Sequence, residues 1–218
     1  MPGYLVDLVW ALARLTGGPT TRVTARLRVY GRDRVPRSGG LVLALNHMSW
    51  VDTAAFGTAC PRTIHYVAKA EAMTVLGLGH LMKAFGAFPV RRGQSDRDAV
   101  RLMRRLVVEG RALGVFVEGT RQRGGVPGKA MPGAAMVAIQ EDAPVVCAAV
   151  HGSYRWRFGN FAPISVAFGE PVRFDGLPPG GRGYREATAE IERRIHALWR
   201  FLDDLGRLGR PRHAVPPA

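Results

Sequence analysis

Cysteine, lysine, acidic side chains and long apolar runs are all scarce in this sequence, and each scarcity removes a class of protein. The two cysteines, Cys60 and Cys147, stand far apart with no metal-ligand spacing, which argues against a disulfide-built scaffold and points to reduced, buried thiols. No apolar run approaches the ~20 residues that cross a bilayer as a helix. The first residues lack the charged start and small-residue cleavage site of a secretory signal, so an intracellular protein is expected. Only 17 Asp+Glu stand against 31 Lys+Arg, and the resulting +14 favours an anionic membrane surface, an acidic protein, a phosphate-bearing substrate or nucleic acid. Lysine is confined to Lys69, Lys83 and Lys129, so the excess is nearly all arginine. Those arginines are scattered and no nucleic-acid-binding motif accompanies them, so no nucleic-acid partner is expected.

What remains reads as one compact α/β domain. At 47% hydrophobic and 22% charged, the 218 residues have the composition of a globular chain with a single full core. Residues 4–15 are apolar almost all round, with Trp10 and Arg14 at the flank, and predict a short helix that lies in a membrane interface or docks on the domain. Gly17-Gly18-Pro19 is expected to end it, which sets apart an N-terminal unit of residues 1–18 from a domain of residues 19–206. Residues 23–30 alternate as a half-buried strand and residues 41–45 form a buried one, with the turn between them favouring an antiparallel pair. Further strands are expected at 63–68, 114–117, 145–150 and 165–168, with Pro89 marking an edge piece at 88–90. Helices are expected at 70–85, interrupted by Gly77 and Gly79, then after a cap at Ser95 or Asp96, at 134–140 and at 184–205. Residues 119–128 form a long Gly-rich loop, and the Arg- and Pro-rich residues 207–218 are expected to be a disordered tail. Strands alternating with helices predict a mixed, largely parallel central sheet flanked by helices.

The stretch Asn46-His47-Met48-Ser49-Trp50-Val51-Asp52 follows the buried strand directly. On one continuous helix, His47 and Asp52 would be rotated about 140° apart, but a strand end, a turn and a helix start let them meet. Asp52 could then accept the Nδ1 proton and leave Nε2 as a base, the histidine and acid half of a triad with no activated nucleophile beside it. Ser49 and Asp52 also have the spacing of a capping box, and the two readings are compatible. Cys60 lacks an obvious base, and His65, His80, His151, His196 and His213 belong to no motif, so a substrate hydroxyl is the expected nucleophile.

Three further segments stand at predicted strand ends: residues 86–92 ending in Arg91-Arg92, then Phe116-Val117-Glu118-Gly119-Thr120-Arg121, then Ala143-Pro144-Val145-Val146. With the His47 to Asp52 stretch, and in this order, they resemble the four blocks of the glycerolipid acyltransferases, in particular those acting on 1-acyl-sn-glycerol 3-phosphate. The resemblance spans roughly residues 40–150, departing where Val117 replaces the family's usual Pro. It implies the glycerol-3-phosphate acyltransferase-like fold, with His47 as general base and Asp52 orienting it. It also implies that Arg92, Glu118, Gly119, Thr120 and Arg121 hold the acceptor. An arginine fork suits phosphate, Gly119 would let backbone approach the ligand, and Glu118 would bind a glycerol hydroxyl or hold an arginine. Lysophosphatidate, with glycerol 3-phosphate or another lysolipid as the alternative acceptor, and an acyl thioester, either acyl-CoA or an acidic acyl-carrier protein, are the implied substrates, with no metal or bound cofactor. The implied location is peripheral or monotopic on the cytoplasmic face of the cell membrane.

Overall fold

A computed structural model of the chain describes residues 3–90 and 97–218. Among the described residues the strands are β1 (Arg28–Tyr30), β2 (Leu41–Leu45), β3 (Ile64–Lys69), β4 (Phe88–Val90), β5 (Ala112–Phe116), β6 (Val145–His151) and β7 (Ser165–Val172). They form one sheet in the order β1-β7-β6-β2-β5-β3-β4. The block from β6 to β4 is parallel throughout, and β7 pairs antiparallel with β6 while β1 runs parallel to β7. The expected α/β architecture, mixed and mostly parallel, is therefore what the chain adopts, and Pro89 lies on the edge strand, where its missing donor is harmless.

Among the described residues six α-helices flank the sheet: α1 (Gly3–Thr24), α2 (Asp52–Ala59), α3 (Leu78–Ala84), α4 (Arg97–Val108), α5 (Gly133–Gln140) and α6 (Gly181–Arg207). The middle strand β2 is buried at every residue and divides its side chains between two cores. Val42 and Ala44 pack with residues of α4, α5 and α6, whereas Leu41, Leu43 and Leu45 pack with residues of α1 and α2. A strand covered on both faces reads as a continuous apolar run, which is how residues 41–45 appear in the sequence. Cys60 and Cys147 are free and buried, one in each core, and burial pushes both thiols up, Cys147 to about 12.

Three expectations are corrected. The strand expected at 23–30 is only Arg28–Tyr30, and it pairs with β7 at the far side of the sheet, not with β2. Its alternation was read across Val23 and Thr24, which belong to α1. That helix runs through Gly17, Gly18 and Pro19 to Thr24. Pro19 removes one ladder donor, but Thr16, Thr20 and Thr24 return their hydroxyls to carbonyls a turn back at 3.0, 2.9 and 2.8 Å, and the Trp156 Nε1–H donates to the Thr24 carbonyl at 3.1 Å. Residues 207–218 are not a loose tail: Arg210 donates to Ser165 Oγ and to the Arg26 and Ile164 carbonyls. The Tyr30 hydroxyl donates to the Pro211 carbonyl, and Pro216 is buried. The cap expected at Ser95 or Asp96 lies outside the described residues.

Helix α1 docks through Trp10, whose ring meets Phe85 edge-on at 5.0 Å and whose Nε1–H donates to the Phe85 carbonyl at 3.0 Å. The ring lies against Gly57 of α2 so closely that a Cβ there would stand 2.0 Å from it. Gly57→Val is expected to destabilise the fold by about 2 kcal/mol through overpacking. Gly17→Ala meets nothing within 4 Å and should stabilise the helix by up to about 1 kcal/mol. Urea unfolding of the two variants checks both signs.

Candidate active site

The candidate site is built where β2 and its neighbours β5 and β6 end on the same edge of the sheet. Beyond Leu45 the chain leaves the ladder, and a buried side chain takes over the pairing. The Asn46 amide donates to the Val150 carbonyl at 3.0 Å and accepts the Val150 N–H at 2.7 Å. Both polar ends of a fully buried amide are thus satisfied by one residue of β6, which fixes the residue that follows, His47.

The six residues from His47 to Asp52 fold around a single oxygen. Asp52 Oδ2 accepts the Met48 N–H at 2.6 Å, the Ser49 N–H at 2.7 Å and the His47 Nδ1–H at 2.9 Å, and the Asp52 side chain is wholly buried. An oxygen that already accepts two backbone N–H groups is an acceptor towards the ring as well. Nδ1 therefore carries the imidazole proton, and Nε2 keeps its lone pair. The ring lies at 4.0 Å on Phe116, nearly parallel to it, and Phe116 lies on Tyr66 in turn. The His47 side chain retains 15% exposure, so it is reachable but not free to turn away.

Only half of the expected capping box forms. The Ser49 N–H reaches the Asp52 carboxylate, but α2 takes Val51 at its N-cap without any side-chain capping bond. The other half is missing because the Asp52 N–H donates to the Ser49 carbonyl at 3.3 Å instead of to its hydroxyl.

Glu118 is likewise turned inward, onto backbone N–H groups. Its Oε2 accepts the His47 N–H at 2.7 Å and its Oε1 accepts the Gly128 N–H at 3.0 Å, while the Gln122 N–H donates to the His47 carbonyl at 2.7 Å. The loop after β5 thus clasps both polar groups of the His47 backbone, and each Glu118 oxygen accepts a backbone N–H group. Gly119 adopts φ +68°, and a Cβ would stand 2.7 Å from Met131 Sδ, so its smallness seats Met131 against the turn. Thr120 and Arg121 follow and are exposed, as is Lys129, and Arg121 directly precedes the residue bonded to the His47 carbonyl. Arg92 lies outside the described residues. Asn46, Phe116 and the Gly128 N–H are parts of the site to which the sequence reading gave no role. The one signal for Asn46 was an amide closing an apolar strand.

Comparison with known proteins follows the same lines. The family described as acyltransferase matches residues 26–151. The 1-acyl-sn-glycerol-3-phosphate acyltransferase of Bacillus subtilis (strain 168) is 33% identical over 184 residues, 82% of this chain and 91% of that protein. The enzyme of the same name from Borreliella burgdorferi is 29% identical over 108 residues, 46% of this chain and 41% of its own. The crystal structure of the 1-acyl-sn-glycerophosphate acyltransferase PlsC from Thermotoga maritima is similar in fold. Its TM-score is 0.71 at 20% identity, covering 89% of this chain and 79% of that one.

Burial pushes the Glu118 carboxyl up from 4.5 to about 7, with its two N–H donors opposing the shift and Asp52 adding to it. The native state therefore holds a proton that the unfolded chain has lost between about pH 4.5 and 7. Stability is highest below that window, falls as pH rises through it, and is flat above, an effect of up to about 3 kcal/mol. Glu118→Gln removes this component and loses one of two acceptors, costing about 1–3 kcal/mol at low pH. Urea unfolding at pH 5 and pH 8 measures it, and equal losses of stability in wild type and variant would contradict the assignment.

Proposed function

The chain belongs to the acyltransferase family, and on that premise we propose that it moves a fatty acyl group from a thioester to the 2-hydroxyl of 1-acyl-sn-glycerol 3-phosphate, giving phosphatidate. The relatives whose names state this reaction support the acceptor. The observation that carries the mechanism is the 2.9 Å contact between His47 Nδ1 and Asp52 Oδ2, which leaves Nε2 as the basic atom.

In this reading Nε2 takes the proton of the acceptor hydroxyl as its oxygen bonds to the thioester carbonyl carbon. The carbon becomes tetrahedral, and the positive charge on the ring is met by the Asp52 carboxylate. Collapse breaks the C–S bond, and the departing sulfur takes the proton back from Nε2. The proton balance closes within one ternary complex, without a covalent acyl-enzyme and without a metal or bound cofactor. Buried Cys60 and Cys147, both with raised thiol pKa, are poor nucleophiles, which supports direct attack. Arg121, exposed beside the His47 turn, is proposed to receive the acceptor phosphate together with Arg92. Gly119 and Thr120 shape that approach, and Glu118 holds the loop.

Acyl-CoA and an acidic acyl-carrier protein are both proposed donors, to be separated by assay. No helix among the described residues is long and apolar enough to cross a membrane. Helix α1 exposes Tyr4, Leu8, Leu12 and Leu15 at helical spacing along one side, which supports a peripheral or monotopic enzyme on the cytoplasmic face of the membrane.

Thiol release in detergent micelles, measured with each donor and with or without lysophosphatidate, tests the proposal. His47→Ala is expected to lower turnover on the order of 10²–10⁴-fold, and Asp52→Asn up to about 10⁴-fold by favouring the wrong tautomer. Release that ignores lysophosphatidate, or a His47→Ala variant as active as wild type, would sink it.

A further inference from the structure

The turn that holds His47 and Asp52 also carries Trp50, a large aromatic side chain that is 65% exposed. Its ring meets Trp156 edge-on at 5.6 Å, and Trp156 is buried and bonded to the Thr24 carbonyl at the end of α1. Trp156 opens the outermost part of the loop between β6 and β7, which presents Phe158 at 93% exposure. That loop is not loose. The Asn160 side-chain Oδ1 accepts the Arg157 and Ala162 N–H groups, and its Nδ2 donates to the Arg155 carbonyl. The Arg157 guanidinium caps the Tyr154 and Trp156 carbonyls. Phe161, three residues after Phe158, adopts φ +47°, a conformation that a phenylalanine rarely takes. Nothing within the domain is gained by exposing Phe158.

Val23, 74% exposed on the last turn of α1, lies in the segment that Trp156 anchors. The apolar side of α1 thus leads towards the same place. Arginines neighbour Val23 and Phe158 in the chain. Arg22, Arg26, Arg28 and Arg212 line a cavity of about 570 Å³, and among the described residues none of their guanidinium groups is paired with a carboxylate. Arg155 and Arg157 flank Phe158 and are exposed. Protruding aromatics within an arginine rim match a layer that is apolar inside and anionic at its surface. An acidic protein would complement the arginines but would leave the projecting Phe158 and Trp50 without a reason.

We propose that Trp50, Phe158 and Val23, with the arginines around them, form a second bilayer contact beyond α1 that seats the His47–Asp52 turn itself in the head-group layer of an anionic membrane. The choice of a lipid surface rests on the acyltransferase reading given above. A thioester and a lipid acceptor would then meet at the interface, with no need to lift the lipid into water.

The test is flotation of the full chain with phosphatidylcholine vesicles, with and without phosphatidylglycerol, read without substrate so that it is independent of turnover. Binding should require phosphatidylglycerol, and Phe158→Ser should weaken it roughly tenfold while thiol release in micelles stays at the wild-type level. Trp50 is the most exposed of the four tryptophans, so brominated acyl chains should quench part of the emission, and Trp50→Phe should remove that part. Undiminished binding of Phe158→Ser, or flotation without quenching, would show α1 to be the whole contact and overturn the proposal. So would a failure to float in the presence of phosphatidylglycerol.

Discussion

Everything in the candidate site depends on one buried oxygen, Asp52 Oδ2, accepting three donors at once. Two of them are the backbone N–H groups of Met48 and Ser49, which a tight turn would otherwise leave buried and unpaired. The third is the imidazole of His47. The group that makes the turn possible is therefore the same group that sets the tautomer, and the chain cannot adopt the turn without also orienting the base. Such economy explains a carboxylate at the first residue of α2 that forms no helix cap.

The sheet supplies the rigidity. His47 follows Asn46 at the end of the central strand, and both adjacent strands brace this point: β6 through the Val150 backbone bonded to Asn46, and the loop after β5 through Glu118 and Gln122 bonded to the His47 backbone. A buried amide and a buried carboxyl are costly unless satisfied. Here each bonds to backbone, so neither can relax without undoing a strand end. The aromatic column of Phe116 and Tyr66 holds the ring from the side. The histidine is thus positioned by four elements, and only its Nε2 edge is left for a reactant.

Much of this was legible in the sequence because it rests on local pattern. The run at residues 41–45 announced a strand buried on both faces, and the spacing of His47 and Asp52 announced a turn that could bring them together. Partners distant in sequence were not legible. Residues 28–30 pair with residues 165–167, and no local pattern encodes such a pairing. Pro19 was read as a helix end because the rule weighs one lost donor and cannot see Trp156 holding the far side. Nothing in the local pattern marks Glu118 as buried. Its burial follows only from where the Gly-rich loop folds back, placing the Gly128 N–H against it. The tail at 207–218 has a disordered composition, yet Arg210 finds carbonyls at an edge that exists only once the sheet is assembled.

The burial of Cys60 and Cys147, in opposite cores and with thiols raised by desolvation, makes the folded protein silent towards a thiol-capturing chromophore. Colour formed in solution with the native chain then belongs to the liberated acyl carrier alone. Colour that grows in the absence of any thioester instead counts molecules that have opened both faces of the sheet.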